Sequence, residues 1–453
     1  MILRSINPAT GQVNESYNEH TSEEIEAKIS KTVSAFATWR RTSLSSRAEI
    51  LHRTADILSS EKEYWARVMV EEMGKTRKSA IAEAEKCASG CRYYAVNGPT
   101  FLHEERISTE RESALHYLPL GVILAIMPWN FPFWQVFRFL APTLMAGNVA
   151  LLKHASNVPK CALGIETIMR KAGLPEGVFQ TLLISSSRTA DVVSDPRIAA
   201  ITLTGSETAG AKVASLAGAS LKKCVLELGG NDPFIVLPSA DLSKAVRAAV
   251  VGRISNNGQS CICAKRFIIH LDIYDRFESE FVTLLEALKI GNPMDDDIDL
   301  GPLATAEAVT TIEQQVNLSV QAGAKLLTGG KRIPGPGNFF LPTALTDIPP
   351  HAPIYRDEVF GPVAMLFKAR NFDHALELAN DTPYGLGSSV WTNDSEEQRR
   401  AAEEIDAGQT FINSIVASDP RLPFGGIKMS GYGRELGTYG LREFTNVKTV
   451  VIS

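Results

Sequence analysis

The sequence is poor in cysteine, has no large excess of either charge and contains no long apolar run. Six cysteines in 453 residues are too few for a disulfide framework, so we expect free thiols and a cytoplasmic location. A net charge of −5 gives no reason to expect nucleic acid or an anionic membrane as a partner. The most apolar stretch, residues 118–129, is interrupted by prolines and is too short to span a bilayer. The first residues also lack the apolar core that a secretory signal requires.

The composition fits a soluble globular chain of two or three domains. The chain is longer than one ordinary core, and 44% of its residues are hydrophobic and 21% charged. Thr21 is placed to cap a helix, and further helices are expected over residues 46–73 and 77–94. Cys87 and Cys91 lie on one face of the last helix, like half a metal site. No Cys or His pair lies nearby, so we interpret them as core residues and expect no metal.

Strand and helix patterns alternate through the middle of the chain. A β-ribbon is expected over residues 104–117, a buried strand over 121–126 and further βα units to residue 217. This alternation predicts a doubly wound parallel sheet that binds a nucleotide. Gly205 and Gly210 flank the point where a strand ends and a helix begins, which suits a phosphate site, and the Ser206 hydroxyl would add a donor. A glycine pair at this spacing is a weak signal by itself.

Residues 256–263, with the sequence NNGQSCIC, place two thiols behind an amide-rich turn. Only a thiolate is a strong nucleophile, and a thiol with a pKa near about 8.5 is mostly protonated at neutral pH. We expect the side-chain amides and backbone N–H groups of this turn to stabilise the Cys261 thiolate and an oxyanion beside it. The alternative is a buried loop whose cysteines only pack.

Two further polar residues stand at the ends of apolar strand patterns. Glu227 lies in the run VLELGGN, where we expect burial to raise the pKa of its carboxyl group, as a general base requires. Asn130 follows the strand 121–126, at the kind of edge where α/β sheets place their chemistry. Its amide is either a donor to a substrate oxygen or part of a turn between two prolines.

These motifs, in their order along the chain, resemble the aldehyde dehydrogenase superfamily. The resemblance spans nearly all residues through the runs NPATG (7–11), PWNFP (128–132), TGS (204–206), LELGG (226–230), NGQSC (257–261), EVFGP (358–362), PFGG (423–426) and GRE (433–435). It implies an α/β fold with a nucleotide-binding domain (1–103 and 118–229), a catalytic α/β domain (230–440) and an oligomerisation ribbon (104–117 and 441–453). The ribbon would join a partner subunit, giving a homodimer or homotetramer.

The resemblance also implies a reaction and roles for individual residues. An aldehyde would be oxidised to a carboxylic acid through a thiohemiacetal and a thioester on Cys261, with NAD or NADP as cofactor. Asn130 and the Cys261 N–H would hold the oxyanion, and Glu227 would activate water. Glu435 would be either a second proton-carrying carboxylate or the partner of an arginine. The implied cofactor-binding residues are Trp129, Lys153, Ser156, Gly205, Ser206, Gly210, Leu228, Glu358 and Phe360.

Arg138 is the residue that points to a substrate. In family members that oxidise succinate semialdehyde, an arginine at the matching place binds the substrate carboxylate, which suits the fork of a guanidinium. The alternatives are a structural ion pair and another small or medium aldehyde. The second arginine of animal enzymes is replaced by Ser255, a loss for which Ser260 and Arg421 could compensate. The expected apolar walls are Phe133, Trp134 and Phe424.

The sequence also predicts a preference for NADP over NAD. Many NAD-linked relatives have a glutamate where this chain has Ser156, and a carboxylate there would repel a 2′-phosphate. Lys153 would reach the same ribose, and His154 could add positive charge. Bacterial and cyanobacterial members of the family resemble this run more closely.

The two neighbouring thiols also allow a regulatory disulfide, and two other function classes are alternatives. Cys263 is close enough to Cys261 in sequence for a strained, easily reduced disulfide. A thiol hydrolase would need no nucleotide-binding sheet and has no obvious histidine partner here. A structural or redox-sensing protein would tolerate the loss of Cys261, Glu227 or Asn130, and the sequence keeps all three.

Overall fold

The computed structural model describes residues 2–452. The strands are β1 Ile2–Ile6, β2 Val13–Asn18, β3 Glu105–Ser108, β4 Glu112–Pro119, β5 Val122–Met127, β6 Val149–His154, β7 Phe179–Thr181, β8 Ile198–Thr204, β9 Lys223–Glu227, β10 Pro233–Val236, β11 Arg266–His270, β12 Lys325–Thr328, β13 Thr343–Thr346, β14 Val363–Ala369, β15 Tyr384–Gly385, β16 Gly387–Trp391, β17 Gln409–Ile412, β18 Ile427–Lys428, β19 Gly431–Tyr432 and β20 Thr445–Ile452.

The α-helices are α1 Ser22–Trp39, α2 Leu44–Ser60, α3 Lys62–Met73, α4 Arg77–Phe101, α5 Trp134–Met145, α6 Pro159–Lys171, α7 Thr189–Ser194, α8 Glu207–Ala219, α9 Leu242–Ile254, α10 Leu271–Glu286, α11 Ala306–Gln321, α12 Pro353–Arg356, α13 Phe372–Asn380, α14 Ser395–Glu404 and α15 Gly437–Glu443. Thr21 caps α1 through a capping box with Glu24, as predicted. The single helix expected over residues 46–73 is wrong, because Glu61 leaves the helical conformation and separates α2 from α3. Both helices pack against α4, a tertiary contact that the apolar pattern does not contain.

The first large sheet has six strands in the order β19-β9-β8-β5-β6-β7. All neighbours are parallel except β19, which pairs antiparallel with β9 through Gly431 and Glu227. The apolar run of β5 is buried, as expected of a central parallel strand. Helices α1, α5, α6 and α8 pack on this sheet. The doubly wound sheet predicted from the sequence is therefore present.

The second large sheet has seven strands in the order β12-β13-β14-β11-β10-β16-β17. Its strands separate two apolar cores, because successive side chains of a strand point to opposite faces. Phe234 and Val236 of β10 belong to one core, and Ile235 belongs to the other.

The predicted ribbon forms a third, antiparallel sheet in the order β20-β4-β3. Strand β20 pairs with β4 along its whole length, from Thr445 opposite Pro119 to Ile452 opposite Glu112. Among the described residues, no strand covers the other edge of β20.

The predicted site lies where three parallel strands of the six-stranded sheet end. Strands β5, β8 and β9 are neighbours and parallel, so their carboxyl ends meet at one edge of the six-stranded sheet. Asn130 follows β5, Gly205 follows β8 and Glu227 ends β9.

Within residues 2–452, no helix combines the length and apolar character needed to cross a membrane.

Candidate active site

Cys261 lies between two cavities. The sheet-end cavity, of about 270 Å³, lies at the carboxyl ends of the six-stranded sheet and is lined by Pro128, Trp129, Asn130, Thr204, Gly205, Ser206, Leu228, Gly229, Cys261, Glu358 and Phe360. The cationic cavity, of about 200 Å³, is named for two of its lining residues, Lys86 and Arg138. Cys261 lines both cavities, so its thiol can meet a group from either side.

The turn before Cys261 is built by the amide side chains that precede it. Asn256, Asn257 and Gly258 all have positive φ, and a Cβ at Gly258 would lie 2.5 Å from the carbonyl carbon of Gly361. Asn256 Nδ2 donates to the carbonyl oxygens of Asn130 at 2.7 Å and Gln259 at 3.0 Å. The side-chain nitrogens of Asn256 and Asn257 are used on backbone carbonyls, so of the amide nitrogens of this turn only that of Gln259 has no partner among the described residues.

Further along the same turn, the remaining amides also bind backbone. Asn257 donates to the carbonyl oxygens of Gly74 and Pro302, both at 3.0 Å, and Gln259 Oε1 accepts the Ala304 N–H at 2.9 Å. With the bond from Asn256 to Asn130, these contacts tie the loop to three other segments of the chain, at residues 74, 130 and 302–304.

The Cys261 thiol is protonated in the resting site. Burial, with the charge of Glu358, raises its pKa to about 12, although Arg138 and Lys265 act to lower it. A base must take the proton before the sulfur can attack.

Asn130 is buried beside the thiol and lines the sheet-end cavity. One N–H of its side-chain amide is directed to the carbonyl oxygen of Gln259 at 3.2 Å. An amide nitrogen carries two N–H groups, so the second can serve an oxygen held near Cys261.

Glu227 is only 2% exposed, and within residues 2–452 neither of its carboxylate oxygens has a hydrogen-bond partner. Burial and then the nearby Glu435 raise its pKa well above the usual value, while Arg138 and Arg434 oppose the rise. The predicted desolvation and raised pKa are confirmed. The carboxylate lies against Gly425, and Glu227 is not among the residues that line either cavity.

Arg138 is buried in an ion pair with Glu435. Its guanidinium also lies over the Phe424 ring, 4.6 Å from the centroid. The structure thus contains the ion pair that the sequence left as an alternative, while Arg138 still lines the cationic cavity. Glu435 has a raised pKa because it is buried, and Arg138 acts against that rise.

A second cation of this cavity, Lys86, was missed from the sequence. Lys86 Nζ donates to Ser418 Oγ at 2.6 Å and lies 4.7 Å from the centre of the Trp134 ring. Trp134 Nε1 donates to the same hydroxyl at 3.2 Å. Burial, followed by the charge of Arg138, lowers the pKa of Lys86 to about 8. No local pattern around residue 86 distinguishes it from a surface lysine of a helix.

The remaining substrate-side predictions divide into two groups. Trp134, Ser260 and Phe424 line the cationic cavity as expected, together with Ser255. Phe133 is wrong as a wall residue: it is fully buried, packs against Phe137 and is replaced in the cavity by Phe131. Arg421 is wrong as a substitute cation, because it is 74% exposed and pairs with Asp419.

The sheet-end cavity suits a planar ring and a ribose. The rings of Trp129 and Phe360 meet edge to face with centroids 5.7 Å apart. Glu358 presents a carboxylate whose Oε1 accepts the Gly230 N–H at 3.1 Å and lies 3.3 Å from Lys265 Nζ. Burial raises the pKa of Glu358, and Lys265 opposes that rise.

The start of α8 suits a phosphate. Ser206 caps this helix, with its hydroxyl accepting the Ala209 N–H at 3.3 Å. Gly210 allows the helix to pack closely, because a Cβ there would lie 2.6 Å from the Leu228 side chain. The residues present therefore fit a dinucleotide.

Lys153 and Ser156 lie at and beyond the end of β6 and do not line the sheet-end cavity. Lys153 is buried, which lowers its pKa, and Glu19 acts on it in the opposite direction. Ser156 is exposed. The suggestion that His154 adds positive charge is wrong: Nε2 binds the carbonyl oxygen of Pro132 at 2.8 Å, and burial lowers its pKa to about 4.

Cys263 is buried, and its thiol donates to the carbonyl oxygen of Ser255 at 3.3 Å. All six cysteines are free thiols, so a disulfide between Cys261 and Cys263 stays a prediction. Cys87 and Cys91 are core residues, as expected. Over residues 2–452, no group of three or more His, Cys, Asp or Glu side chains could hold a metal ion.

Comparison with known proteins agrees with this geometry. The model of the aldehyde dehydrogenase family matches residues 2–450. The chain is 53% identical over 457 residues to succinate-semialdehyde dehydrogenase [NADP(+)] 1 of Mycobacterium tuberculosis, with all of both chains covered. It is 51% identical over 454 residues to a probable succinate-semialdehyde dehydrogenase [NADP(+)] of Synechocystis, again with full coverage.

Among solved structures, the succinic semialdehyde dehydrogenase of Streptococcus pyogenes in complex with NADP+ superimposes with a TM-score of 0.97. It is 37% identical, and the match covers 99% of each chain. Similarity over the whole chain, at the level of both sequence and fold, leaves one conclusion. The chain belongs to the aldehyde dehydrogenase family.

Proposed function

We propose that this protein oxidises succinate semialdehyde to succinate with NADP as the preferred cofactor. The observation that carries the proposal is the position of Cys261, between a cavity that suits a dinucleotide and a second cavity that contains two cations. The relatives named as NADP-dependent succinate-semialdehyde dehydrogenases support the same substrate and cofactor.

In the first half of the reaction, Cys261 is the nucleophile. Glu227, whose raised pKa makes it a competent base, rotates toward the loop and takes the thiol proton. The sulfur attacks the aldehyde carbon, and the free N–H of Asn130 and the Cys261 N–H hold the resulting oxyanion. When bound in the sheet-end cavity, the nicotinamide cofactor supplies the hydride acceptor, and a thioester remains on Cys261.

In the second half, Glu227 first releases the thiol proton to solvent and then acts again as a base. It takes a proton from water, which attacks the thioester and releases the acid from Cys261. In the sheet-end cavity, Glu358 would hold the ribose of the cofactor, and Trp129 and Phe360 would hold its ring. A thiol hydrolase would use the same sulfur but would have no need for this second cavity.

The far end of the cationic cavity recognises the substrate carboxylate. Ser418 accepts hydrogen bonds from both Lys86 and Trp134, so its own O–H remains for a ligand acceptor. Arg138 adds positive charge, although its pairing with Glu435 reduces what it offers. Lys86 supplies the positive charge that a serine at position 255 cannot supply.

The test compares succinate semialdehyde with butanal, which has no carboxylate, in the wild type and in Lys86→Met. Loss of a charge-assisted hydrogen bond of about 1.5–3 kcal/mol should raise KM for succinate semialdehyde roughly tenfold to a hundredfold and leave butanal nearly unchanged. Lys78→Met, on the exposed face of the same helix, is the control. Arg138→Met is a poorer test because it also unpairs Glu435.

The same experiment has a pH arm. Lys86 has a pKa of about 8, so its charge is present below that pH and is lost above it. KM for succinate semialdehyde should therefore rise above about pH 8 in the wild type, and this rise should be absent in Lys86→Met. Equal KM changes for both aldehydes would exclude Lys86 as a carboxylate ligand, and a wild type inactive on succinate semialdehyde would exclude the function.

We also propose the assembly that the resemblance implies, a homodimer or homotetramer. The outer edge of β20 carries exposed Val447, Val451 and Ile452, which are 54%, 49% and 59% exposed. An exposed apolar edge strand is a natural pairing surface for a second subunit. The mass in solution, measured by light scattering, tests this.

A further inference from the structure

A fully buried lysine lies beneath the loop that carries Cys261. The side chain of Lys265 is 0% exposed. Its Nζ donates to three carbonyl oxygens of the loop, those of Cys261 at 2.8 Å, Ser260 at 3.1 Å and Cys263 at 3.3 Å. Glu358 Oε1, at 3.3 Å, is its fourth partner. An ammonium has three N–H donors, so its hydrogen-bonding capacity is spent on the loop and on this one carboxylate.

The Ser260 carbonyl accepts hydrogen bonds from Lys265 Nζ and from the Cys263 N–H at 3.2 Å, and these bonds fix the direction of the Cys261 N–H. Both groups belong to one peptide unit, which is planar and trans, so the carbonyl and the N–H point in opposite directions. Because the Ser260 carbonyl points to Lys265, the Cys261 N–H points away from it. Within residues 2–452, this N–H donates to no other protein group. It is therefore free to donate to an oxygen near the sulfur.

Lys265 and its partner Glu358 have opposite effects on the charge of the Cys261 sulfur. The carboxylate of Glu358 disfavours a negative charge on Cys261, and the ammonium of Lys265 favours one. The other charged groups that act on the thiol are Arg138 of α5, which favours the thiolate, and Asp232 before β10, which disfavours it. Of these four groups, only Lys265 also touches the backbone of the loop.

We propose that Lys265 is the positioning residue of the nucleophile loop: it aims the Cys261 N–H at the developing oxyanion and offsets the charge of Glu358 at the sulfur. This inference rests on the proposed role of Cys261 as the nucleophile. It adds to that role a residue which touches neither substrate nor cofactor and acts through the loop.

The charge effect is measured without aldehyde or cofactor. The rate of alkylation of Cys261 by iodoacetamide at a fixed pH near neutrality, followed by peptide mass, reports the fraction of thiolate. Removing a nearby positive charge disfavours the thiolate, so Lys265→Met should slow alkylation about tenfold at that pH. Lys265→Arg should be alkylated at nearly the rate of the wild type. Lys368→Met, on the surface of the same seven-stranded sheet, is the control.

A double variant separates the charge effect from a loss of packing. Lys265→Met with Glu358→Gln removes both charges, so the alkylation rate should return toward that of the wild type. Alkylation needs no cofactor, so the loss of Glu358 at the cofactor site does not affect this readout. An alkylation rate equal to that of Lys265→Met alone would overturn the offset of Glu358.

Lys265→Gln tests the positioning effect, because it keeps N–H donors without the charge. Its kcat should exceed that of Lys265→Met, although the two variants are alkylated at similar rates, and KM for the aldehyde should be unchanged. If Lys265→Met fails to fold, the comparison of Lys265→Gln with Lys265→Arg gives the same two readouts. Unchanged alkylation rates and unchanged kcat in the folded variants would overturn the inference. Alkylation needs no substrate, so a failure of the proposed aldehyde specificity would remain distinct from a failure here.

Discussion

The two cavities that meet at Cys261 achieve recognition by different means. The sheet-end cavity relies on shape: the rings of Trp129 and Phe360, the side chain of Leu228 and glycines that leave room for a ligand, with Glu358 as its one carboxylate. The cationic cavity relies on charge, through Lys86 and Arg138. A planar ring can be held by packing alone, whereas a small anion cannot, because its desolvation must be offset by a buried cation.

The difference has a consequence for how each side responds to mutation. Buried charges interact strongly with one another, so Arg138, Glu435 and Glu227 behave as one group. Packing residues of the sheet-end cavity act more independently. We therefore expect changes on the charged side to alter the pH dependence of the reaction, and changes to the uncharged residues of the cofactor side to alter only affinity.

The largest effect should follow from Glu227→Gln, which removes the base while keeping the shape of the side chain. General base catalysis contributes about 10²–10⁴-fold, so steady-state turnover should fall by roughly that factor. If thioester hydrolysis is the step most affected, the first turnover should survive as a burst of NADPH, with an acyl group on Cys261 visible by mass spectrometry. Glu404→Gln, in an exposed ion pair of α14, is the control. Full steady-state activity in Glu227→Gln would remove this residue from the mechanism.

A smaller effect is expected on the cofactor side from Ser156→Glu. A carboxylate near the 2′-phosphate should cost about 1–3 kcal/mol, which is roughly tenfold to a hundredfold in kcat/KM for NADP, and should spare NAD. Ser156→Gln has the same size without the charge and should retain the preference for NADP. A wild type that prefers NAD, or a glutamate variant that still prefers NADP, would contradict the charge-based prediction. The pH dependence should be the same in all three proteins if the cofactor side acts only on affinity.

The smallest effect, and the sharpest test of coupling on the charged side, should follow from Glu435→Gln. The negative charge of Glu435 adds to burial in raising the pKa of Glu227, and its loss also frees Arg138 to act on Glu227. Both changes lower the pKa of the base, so Glu227 stays ionised to lower pH. The acid limb of the kcat profile should move down by about one pH unit. An unchanged limb, or a shift to higher pH, would show that Glu227 does not govern it.

Local patterns were sufficient to single out the residues to which the proposed reaction assigns the chemistry. Cys261, Glu227 and Asn130 each stand in a run of residues whose composition suits the role, and the structure brings Cys261 and Asn130 to one cavity with Glu227 buried close to Arg138. The parallel strands were also predictable, because an unbroken apolar run such as that of β5 is stable only when both faces are covered. The cap of α1 followed from four consecutive residues.

Tertiary structure decided the partners of the charges. Arg138 and Glu435 are nearly three hundred residues apart in the sequence, and Lys86 and Ser418 are 332 residues apart. No sequence pattern joins the members of either pair. The same holds for Lys265, whose position next to Glu358 turns an ordinary lysine into a buried counter-ion. The sequence by itself determined which groups can react, because nucleophile, base and donor are properties of side chains and of the local turns that carry them. Only the fold decided their pKa values and their direction, because burial and the charges of distant segments set both.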